Sequence, residues 1–203
     1  LFTRSQNVKF IESCLELMKI NIEEYYGLLQ RYKNNLTLVL LITEMMKGLI
    51  KTEGSEFVSN GGITKLSDIA VSLMTDRTVD KRLREEGSNE VLLVLNEVIT
   101  TVQLQQSDTK EFLEQWRKNS GVPGFKKFCE DNYKWFLKTP ENQRAFIDNG
   151  GVELAGDKLN VELIGKEVWR DTEKDKAIPV LFAKSQNPEF IKSCLKLMDI
   201  NME

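Results

Sequence analysis

The chain has 203 residues, of which 41% are apolar and 29% are charged, an ordinary balance for a globular protein with a sizeable core. Its net charge of −3 argues against a nucleic-acid-binding surface, because such surfaces carry a basic excess. The sequence contains no histidine, which removes the commonest general base and the commonest transition-metal ligand. Its longest apolar run is too short to cross a bilayer, so we expect no membrane span. We also expect no nucleic-acid partner, because of the net charge, and no cofactor.

The three cysteines and the first residue of the chain bear on its cellular setting. An odd number of cysteines with no close pair favours a reducing compartment, and we therefore expect a cytoplasmic protein. Because the chain begins with leucine rather than methionine, we expect it to be a fragment or a processed piece of a longer protein.

A segment of 23 residues occurs twice, at positions 1–23 and 181–203, with 15 identical residues and no gap. The two copies share most of their apolar residues, and Cys14 and Cys194 occupy equivalent places among them. An asparagine precedes each apolar stretch, and a proline follows it in the second copy, which is typical of a capped helix start. The repeated segment is therefore predicted to form an amphipathic helix whose apolar face, with its cysteine, is buried.

Four charged positions of this helix change sign between the two copies. They recur at steps of three or four residues, which places them along one side of a helix. We expect this side to be solvated and to influence which copy lies beside which, as contacts between repeats. The eight residues are Lys9, Glu12, Glu16 and Lys19 in the first copy, and Glu189, Lys192, Lys196 and Asp199 in the second.

The chain between the two copies is predicted to form further helices joined by short turns. Apolar periodicity sets their lengths, and asparagine, threonine, proline and glycine set their ends. We expect residues 75–88 to be a solvated loop or helix end, residues 169–176 to be a loop, and Asp108 with Glu111 to cap a helix. The predicted helices cover 23–32, 36–50, a short helix ending at Gly61-Gly62, then 63–74, 90–104, 108–118, 125–137 and 140–151.

Shorter internal similarities lie inside the long repeat. FVSNGG at 57–62 and FIDNGG at 146–151 share four of six residues at an offset of 89, and the helices at 38–49 and 91–102 align without a gap. Similarity at several nested spacings, all within helices joined by short turns, is typical of an α-solenoid. We expect residues 1–180 to form one super-repeat and residues 181–203 to begin the next.

The Gly-Gly turn and the helices around it resemble armadillo repeats. In that family a short helix ends at a Gly-Gly turn, a second helix follows, and a longer apolar third helix carries an asparagine. Here Gly61-Gly62, residues 63–74 and residues 90–102 with Asn96 fit this pattern, and residues 146–159 fit its first two helices again. The resemblance implies an all-α, right-handed α-solenoid of about four armadillo-like units in the super-repeat.

The resemblance also implies a surface on the third helices that clamps an extended peptide. It selects Asn96 and Glu97, together with the aligned Thr43 and Glu44, as partner-binding residues. The chain departs from the family pattern because Thr43 replaces the asparagine in the aligned helix and Leu92 stands where peptide-binding members often carry tryptophan.

Aromatic residues are concentrated between positions 116 and 136, close to several lysines. Two interpretations remain open: the aromatic side chains pack in the core, or they form a patch on which a partner docks. Under the second interpretation Trp116 and Trp135 are further partner-binding candidates. The other members of this concentration are Phe125, Phe128 and Phe136.

No catalytic or metal-binding pattern stands out. Asp171, Glu173 and Asp175 alternate as at the start of a calcium loop, but Lys176 and Phe182 stand where that loop needs glycine and glutamate. Neither Gly-Gly pair is followed by the lysine of a phosphate-binding loop. We therefore expect no catalytic residue, no metal ligand and no enzymatic activity.

The sequence favours a non-enzymatic scaffold: a segment of a tandem helical-repeat array with an extended surface for protein partners or self-association. If both ends carry the same helix, end-to-end contacts between copies do not close on themselves and can propagate. An alternative is a tandem helical carrier of a small apolar ligand such as a lipid, suggested by the apolar helices at 36–50 and 90–104.

Overall fold

The computed structural model describes residues 20–165 and 187–197, together with the single positions 13, 168 and 185. Within these ranges all regular structure is helical, with nine α-helices and no strand, so the expected all-α class is confirmed. The chain divides into two compact units, residues 1–103 and residues 104–203. The predicted super-repeat of residues 1–180, followed by 181–203, stays a prediction.

Unit 1 contains four helices in the described part of the chain. They are α1 (Ile22–Tyr32), α2 (Leu36–Ser59), α3 (Gly62–Thr75) and α4 (Ser88–Thr101), with a π-helical turn at Leu83–Gly87 that leads into α4.

Unit 2 contains the other five described helices, which are shorter. They are α5 (Gln106–Lys118), α6 (Pro123–Asn132), α7 (Pro140–Asp148), α8 (Gly151–Ala155) and α9 (Pro188–Leu197), with 3-10 turns at Tyr133–Leu137, Gly156–Lys158 and Val161–Leu163.

An asparagine caps the start of each of the first two helices, and the second cap lies where Asn34-Asn35 is predicted to break the helical pattern. The Asn21 side chain accepts a hydrogen bond from the Glu24 backbone N–H at 2.9 Å, and the Glu24 carboxylate accepts one from the Asn21 N–H at 3.0 Å. The Asn35 side chain accepts a bond from the Leu38 N–H at 3.2 Å. Each cap pairs a backbone donor that a helix start otherwise leaves without a partner.

The predicted helix end at Ile50 is wrong, because α2 continues without a break to Ser59. Residues 51–56 are polar except for Gly54, and the buried stripe of the helix continues through Ile50, Gly54 and Phe57. A Cβ at position 54 would lie 2.9 Å from a Val102 methyl group, so glycine allows the chain after α4 to approach α2 closely. Tertiary packing therefore determines the length of this helix, not its local polarity.

The expectation of a solvated loop or helix end across residues 75–88 holds for Thr75, where α3 ends, and for residues 76–80, but it is wrong for residues 81–88, which are helical. The helix resumes at Lys81, immediately after Asp80, whose carboxylate accepts a hydrogen bond from the Leu83 N–H at 3.0 Å. The π-helical turn then carries Leu83, which is 2% exposed, and the buried Gly87 into the core of unit 1. Most charged residues of the stretch are exposed, although Arg84 is half-buried with its Nε atom shielded from solvent. The high charge of the stretch hid its helical pattern in the sequence.

Helices α1 and α3 run in the same direction within unit 1. At one end the Lys65 ammonium lies 2.8 Å from the Glu23 carboxylate, and at the other end the Lys33 ammonium donates to the Ser72 hydroxyl at 2.7 Å. Early residues of α1 thus pair with early residues of α3, and late residues pair with late ones.

Helices α2 and α4 show the same relationship. The Lys47 ammonium in α2 lies 2.9 Å from the Glu90 carboxylate near the start of α4, and Val102 just after α4 lies against Gly54 in the second half of α2. Because α1 packs on α2 and α3 packs on α4, unit 1 consists of two helical hairpins in which equivalent helices point the same way.

Aromatic side chains form much of the core of unit 2. The rings of Phe112 and Phe136 stack at a centroid distance of 4.2 Å, and Tyr133 contacts both Trp116 and Phe146 at 6.2 and 5.7 Å. The core interpretation of this aromatic concentration is therefore confirmed for Trp116, and it also holds for Phe125, Phe128 and Phe136, all of which are buried.

Two helix bounds in this unit differ from the sequence prediction. The helix that contains Asp108 is capped by Gln105, and Asp108 occupies the third helical position, where its carboxylate accepts a bond from the Gln105 N–H at 2.7 Å. The predicted pairing of Asp108 with Glu111 as a cap is therefore wrong. Helix α6 ends at Asn132, and a 3-10 turn continues the chain to Leu137.

Candidate functional site

The two Asn-Gly-Gly turns have the same local structure. Gly61 and Gly150 both adopt the left-handed backbone conformation, with φ of 79° and 75°. Only glycine reaches this region without steric cost, which explains why the sequence repeats it. The similarity at an offset of 89 residues therefore reflects one turn used in both units.

The second glycine of each turn is required by a phenylalanine five residues earlier. A Cβ at Gly62 would lie 2.5 Å from the Phe57 ring, and a Cβ at Gly151 would lie 2.6 Å from the Phe146 ring. Both rings are fully buried. In each Phe-x-x-Asn-Gly-Gly stretch, the first residue of one helix thus packs directly against a phenylalanine near the end of the preceding helix.

Residues on the outer sides of α2 and α4 form a surface that we name the α2–α4 face. Glu44 and Lys47 contribute to it from α2, and their side chains form an ion pair at 3.4 Å. Lys47 links this helix to Glu90 of α4. The remaining members lie on the same helix at steps of three or four residues and are Leu93, Asn96 and Glu97.

Leu93 is the apolar centre of the α2–α4 face. Its side chain is 47% exposed, whereas its neighbours Leu92 and Val94 are buried at 7% and 0%. The sequence analysis did not select Leu93, although it precedes Asn96 by three residues and Glu97 by four. An apolar side chain surrounded by polar ones matches the layout of protein interfaces, in which a polar rim surrounds an apolar centre.

Lys47 is the electrostatic link across the α2–α4 face. Burial lowers the pKa of the Lys47 ammonium, but its hydrogen bond and attraction to Glu90 raise the pKa more, so the net pKa lies above its ordinary value. The lysine side chain is 22% exposed and the glutamate is 28% exposed, so the pair is partly shielded from water. This ion pair holds α2 and α4 in a defined register.

The four partner-binding candidates in α2 and α4 do not all lie on the surface. Thr43 lies in the core, 0% exposed, and its hydroxyl donates to the Val39 carbonyl at 2.9 Å. It therefore has no surface to offer a partner, and its selection is corrected. Glu44 is exposed, and Asn96 and Glu97 are half-buried, so these three lie together on the α2–α4 face.

The two selected tryptophans also differ. Trp116 is 1% exposed and belongs to the core of unit 2, so its selection as a partner-binding residue is corrected. Trp135 is half-exposed, and the Lys138 and Lys134 ammonium groups lie 4.4 and 5.8 Å from the centre of its ring. A cation above an aromatic ring is attracted to it, so the two lysines surround the Trp135 ring with positive charge.

A cleft of about 380 Å³ lies between α5 and α7 in unit 2. Seven of its eight lining residues have polar or charged side chains, and acidic and basic groups lie in it together. Such a lining does not suit an apolar ligand, which needs a predominantly hydrophobic wall. The lining residues are Gln106, Ser107, Lys110, Glu141, Arg144, Ala145, Asp148 and Asn149.

The two described cysteines are not placed for chemistry. Cys129 and Cys194 are both free and both fully buried, as the apolar-face interpretation predicts for Cys194. Burial raises the pKa of the Cys194 thiol to about 11 and that of Cys129 further still, so neither forms a thiolate readily. No group of three potential metal ligands occurs among the residues that the structure describes. Asp171, Glu173 and Asp175 lie outside them.

The second copy of the long repeat begins α9 as predicted. The Asn187 side chain accepts hydrogen bonds from the backbone N–H groups of Glu189 and Phe190 at 3.1 and 3.3 Å, and Pro188 is the first helical residue. Glu189 and Lys192, two of the residues whose charge changes sign, are exposed. The other predicted contacts between repeats, at Lys9, Glu12, Glu16, Lys19 and Asp199, lie outside the described residues, as does the side chain of Lys196.

Comparison of the chain with protein-family models, with curated proteins and with solved structures found no match. Among the helices that the structure describes, none combines the length and the apolar character that a bilayer crossing requires.

Proposed function

We propose that this chain is a segment of a right-handed α-solenoid of armadillo-like repeats and serves as a non-enzymatic scaffold for protein partners. The observation that carries this proposal is the stacking in unit 1, where α1 and α3 run in parallel and α2 and α4 run in parallel. Repetition of a helical hairpin in one direction is how solenoids build an extended surface. The shared Asn-Gly-Gly turn of the two units supports the same reading.

The α2–α4 face is the proposed binding surface. Its polar groups are Asn96, Glu97 and the ion-paired Glu44, Lys47 and Glu90, and Leu93 provides an exposed apolar anchor. An extended peptide laid across two parallel helices can place an apolar side chain against Leu93. It can also pair its backbone or basic groups with the surrounding amide and carboxylates.

The carrier alternative receives less support. The large apolar residues of α2 and α4 are packed against other side chains, with Met46, Ile50, Val94 and Val98 each at most 1% exposed. The cleft between α5 and α7 is lined mostly by polar and charged residues. The apolar character of these helices is thus explained by packing.

A peptide-display selection on the purified chain tests the scaffold proposal. Selected peptides are expected to bind the Leu93→Asp variant at least about tenfold more weakly, because a buried carboxylate would replace the apolar anchor. Glu97→Lys should disfavour basic peptides in particular. Arg77→Glu, an exposed change in the loop between α3 and α4, is the matched control and should leave binding unchanged.

Peptides that bind the wild-type chain and the Leu93→Asp variant equally would show that the α2–α4 face is not the binding surface. Circular dichroism of each variant verifies that the helices remain intact.

A further inference from the structure

Helix α9 packs in unit 2 through residues that also occur in the first copy of the repeated segment. Helix α9 packs against the Val161–Leu163 turn. The Asn187 amide donates to the Asp157 carbonyl at 3.3 Å, so the capping residue also ties the helix to the chain beneath it. We name residues 157–164, on which α9 lies, the platform.

The platform is held to the core of unit 2 by one tyrosine. The Tyr133 hydroxyl donates to the Lys158 carbonyl at 2.9 Å and accepts from the Asn160 N–H at 2.6 Å. Val161 and Ile164 are buried at 0% and 1% exposure. The platform is thus a defined structural element that does not depend on α9 alone.

The described residues that dock or cap α9 are identical in the first copy of the repeat. They are the buried side chains of α9 and the asparagine that caps it. Asn187 corresponds to Asn7, and Phe190, which is 4% exposed, corresponds to Phe10. The fully buried Cys194 corresponds to Cys14.

The serine in front of the cap follows the same rule. The Ser185 hydroxyl accepts a hydrogen bond from the Asn187 N–H at 3.1 Å, and position 5 of the first copy is also serine. This bond gives the retained serine a physical role in forming the cap.

The exposed charged positions of α9 differ between the two copies. Glu189 and Lys192 are exposed, and their equivalents Lys9 and Glu12 carry the opposite charge. At the positions of α9 whose side chains the structure describes, the differences between the copies thus fall on exposed residues. The first segment therefore carries the full set of described docking groups.

We propose that residues 1–23 of one copy of this chain bind the platform of a second copy, in the place that α9 occupies. This deepens the scaffold proposal by naming one partner, a second copy of the chain. Because the donor segment and the platform are separate stretches of the chain, each copy can both give and receive a helix. Such a contact is heterologous and links copies into rings or open chains.

The intramolecular helix has two advantages over the incoming one. It is tethered to its platform, which corresponds to an effective concentration on the order of millimolar. Pro188 also fixes the backbone at the first helical position, where the first copy has Val8. Exchange between copies therefore requires a high concentration of chains or a weakened α9.

A labelled peptide with the sequence of residues 1–23 is the probe, and fluorescence anisotropy measures its binding to the full chain. Phe190→Asp is used to undock α9, because it places a carboxylate at a buried contact. A second substitution in the same chain, Phe10→Asp, prevents chains from supplying their own donor segment. The peptide is expected to bind this double variant at least about tenfold more tightly than it binds the wild-type chain.

Two matched peptides test which residues carry the recognition. A peptide with Phe10→Asp should lose at least about tenfold in affinity for the double variant, because Phe10 is the equivalent of a buried contact. A peptide with Lys9→Glu and Glu12→Lys changes only positions whose equivalents are exposed, and it should bind like the parent peptide. Val161→Asp in the receiving chain should abolish binding of every peptide.

Circular dichroism and labelling of Cys194 establish that the double variant is folded and that its α9 is undocked. If it does not fold, Asn187→Ala with Phe10→Asp replaces it, since this change removes the cap and the Asp157 bond without burying a charge. Absence of binding to a folded chain with an accessible Cys194, or equal binding of the Phe10→Asp peptide, would overturn the proposal. Neither result bears on the Leu93-dependent selection, which tests the scaffold function through unit 1.

Discussion

The ring of Phe57 occupies the space in which any residue larger than glycine at position 62 would place its Cβ. That atom would lie 2.5 Å from the ring and 2.6 Å from the Phe57 carbonyl oxygen. Because the backbone itself stands in the way, Gly62→Ala is expected to lower the free energy of unfolding of unit 1 by about 1–3 kcal/mol. Urea denaturation followed by circular dichroism measures this change.

Gly48→Ala is the matched control for that substitution. Gly48 also lies in a helix, but a Cβ there would meet no atom within 4 Å. Alanine reduces the conformational entropy of the unfolded chain, so this variant should be more stable by about 0.4–1 kcal/mol. Equal destabilisation by the two variants would mean that Phe57 does not require glycine at position 62.

The hydroxyl of Tyr133 is expected to stabilise the platform. Tyr133→Phe leaves the Lys158 carbonyl and the Asn160 N–H without their partner, at a cost of about 1–3 kcal/mol. The loss should appear in urea denaturation and in faster amide hydrogen exchange at residues 158–164. Tyr32→Phe, at a half-exposed tyrosine of α1, is the control and should change stability by less than about 0.5 kcal/mol.

The reactivity of Cys194 is expected to report whether α9 is docked. Burial raises the pKa of this thiol to about 11, so at pH 8 only about a thousandth of it is thiolate. Its alkylation should therefore be at least about 100-fold slower than that of an exposed cysteine. Mass spectrometry of the alkylated peptides distinguishes Cys194 from the other cysteines.

Phe190→Asp should remove most of the protection of Cys194 while leaving Cys129 protected. An alkylation rate at Cys194 that is already fast in the wild-type chain would contradict the docked position of α9.

The ion pair between Lys47 and Glu90 is expected to make a small, pH-dependent contribution to the stability of unit 1. Glu90→Gln should lower the free energy of unfolding by about 0.5–1 kcal/mol at pH 7, because the pair is only partly exposed. Glu44→Gln is the control, since the Glu44 side chain is 74% exposed and its contribution should be close to zero.

The sign of the pH dependence follows from the raised pKa of Lys47 in the folded chain. The contribution is fully present below the ordinary lysine pKa of 10.5 and is lost as the pH rises through the higher folded value. The difference in stability between the wild-type chain and Glu90→Gln should therefore be constant from pH 7 to pH 9 and shrink above pH 10.5. A difference that grows in the alkaline range would contradict this assignment.

Several structural features could be predicted from a few neighbouring residues in the sequence. Asn35 and Asn187 mark helix starts because a short side chain caps the backbone two or three residues on. The Asn-Gly-Gly turns follow from the need for a left-handed residue, which glycine meets at Gly61 and Gly150. The all-α class follows from apolar periodicity throughout the chain.

The surface residues could be predicted only in part. Asn96 and Glu97 lie on the α2–α4 face as the armadillo resemblance suggests, but Thr43 is buried and Leu93 was not selected. A helical pattern shows which residues share a side of a helix. It does not show which of its sides another helix will cover.

The sequence by itself determined the helical class, the capped start of α9 and the two glycine turns, because each depends on the conformational preferences of a few adjacent residues. Only the tertiary structure decided that α2 continues past Ile50, that a π-helical turn leads into α4, and that Trp116 is buried while Trp135 is half-exposed. These outcomes depend on contacts between residues far apart in the chain. The energy of such contacts outweighs local propensity once the helices pack.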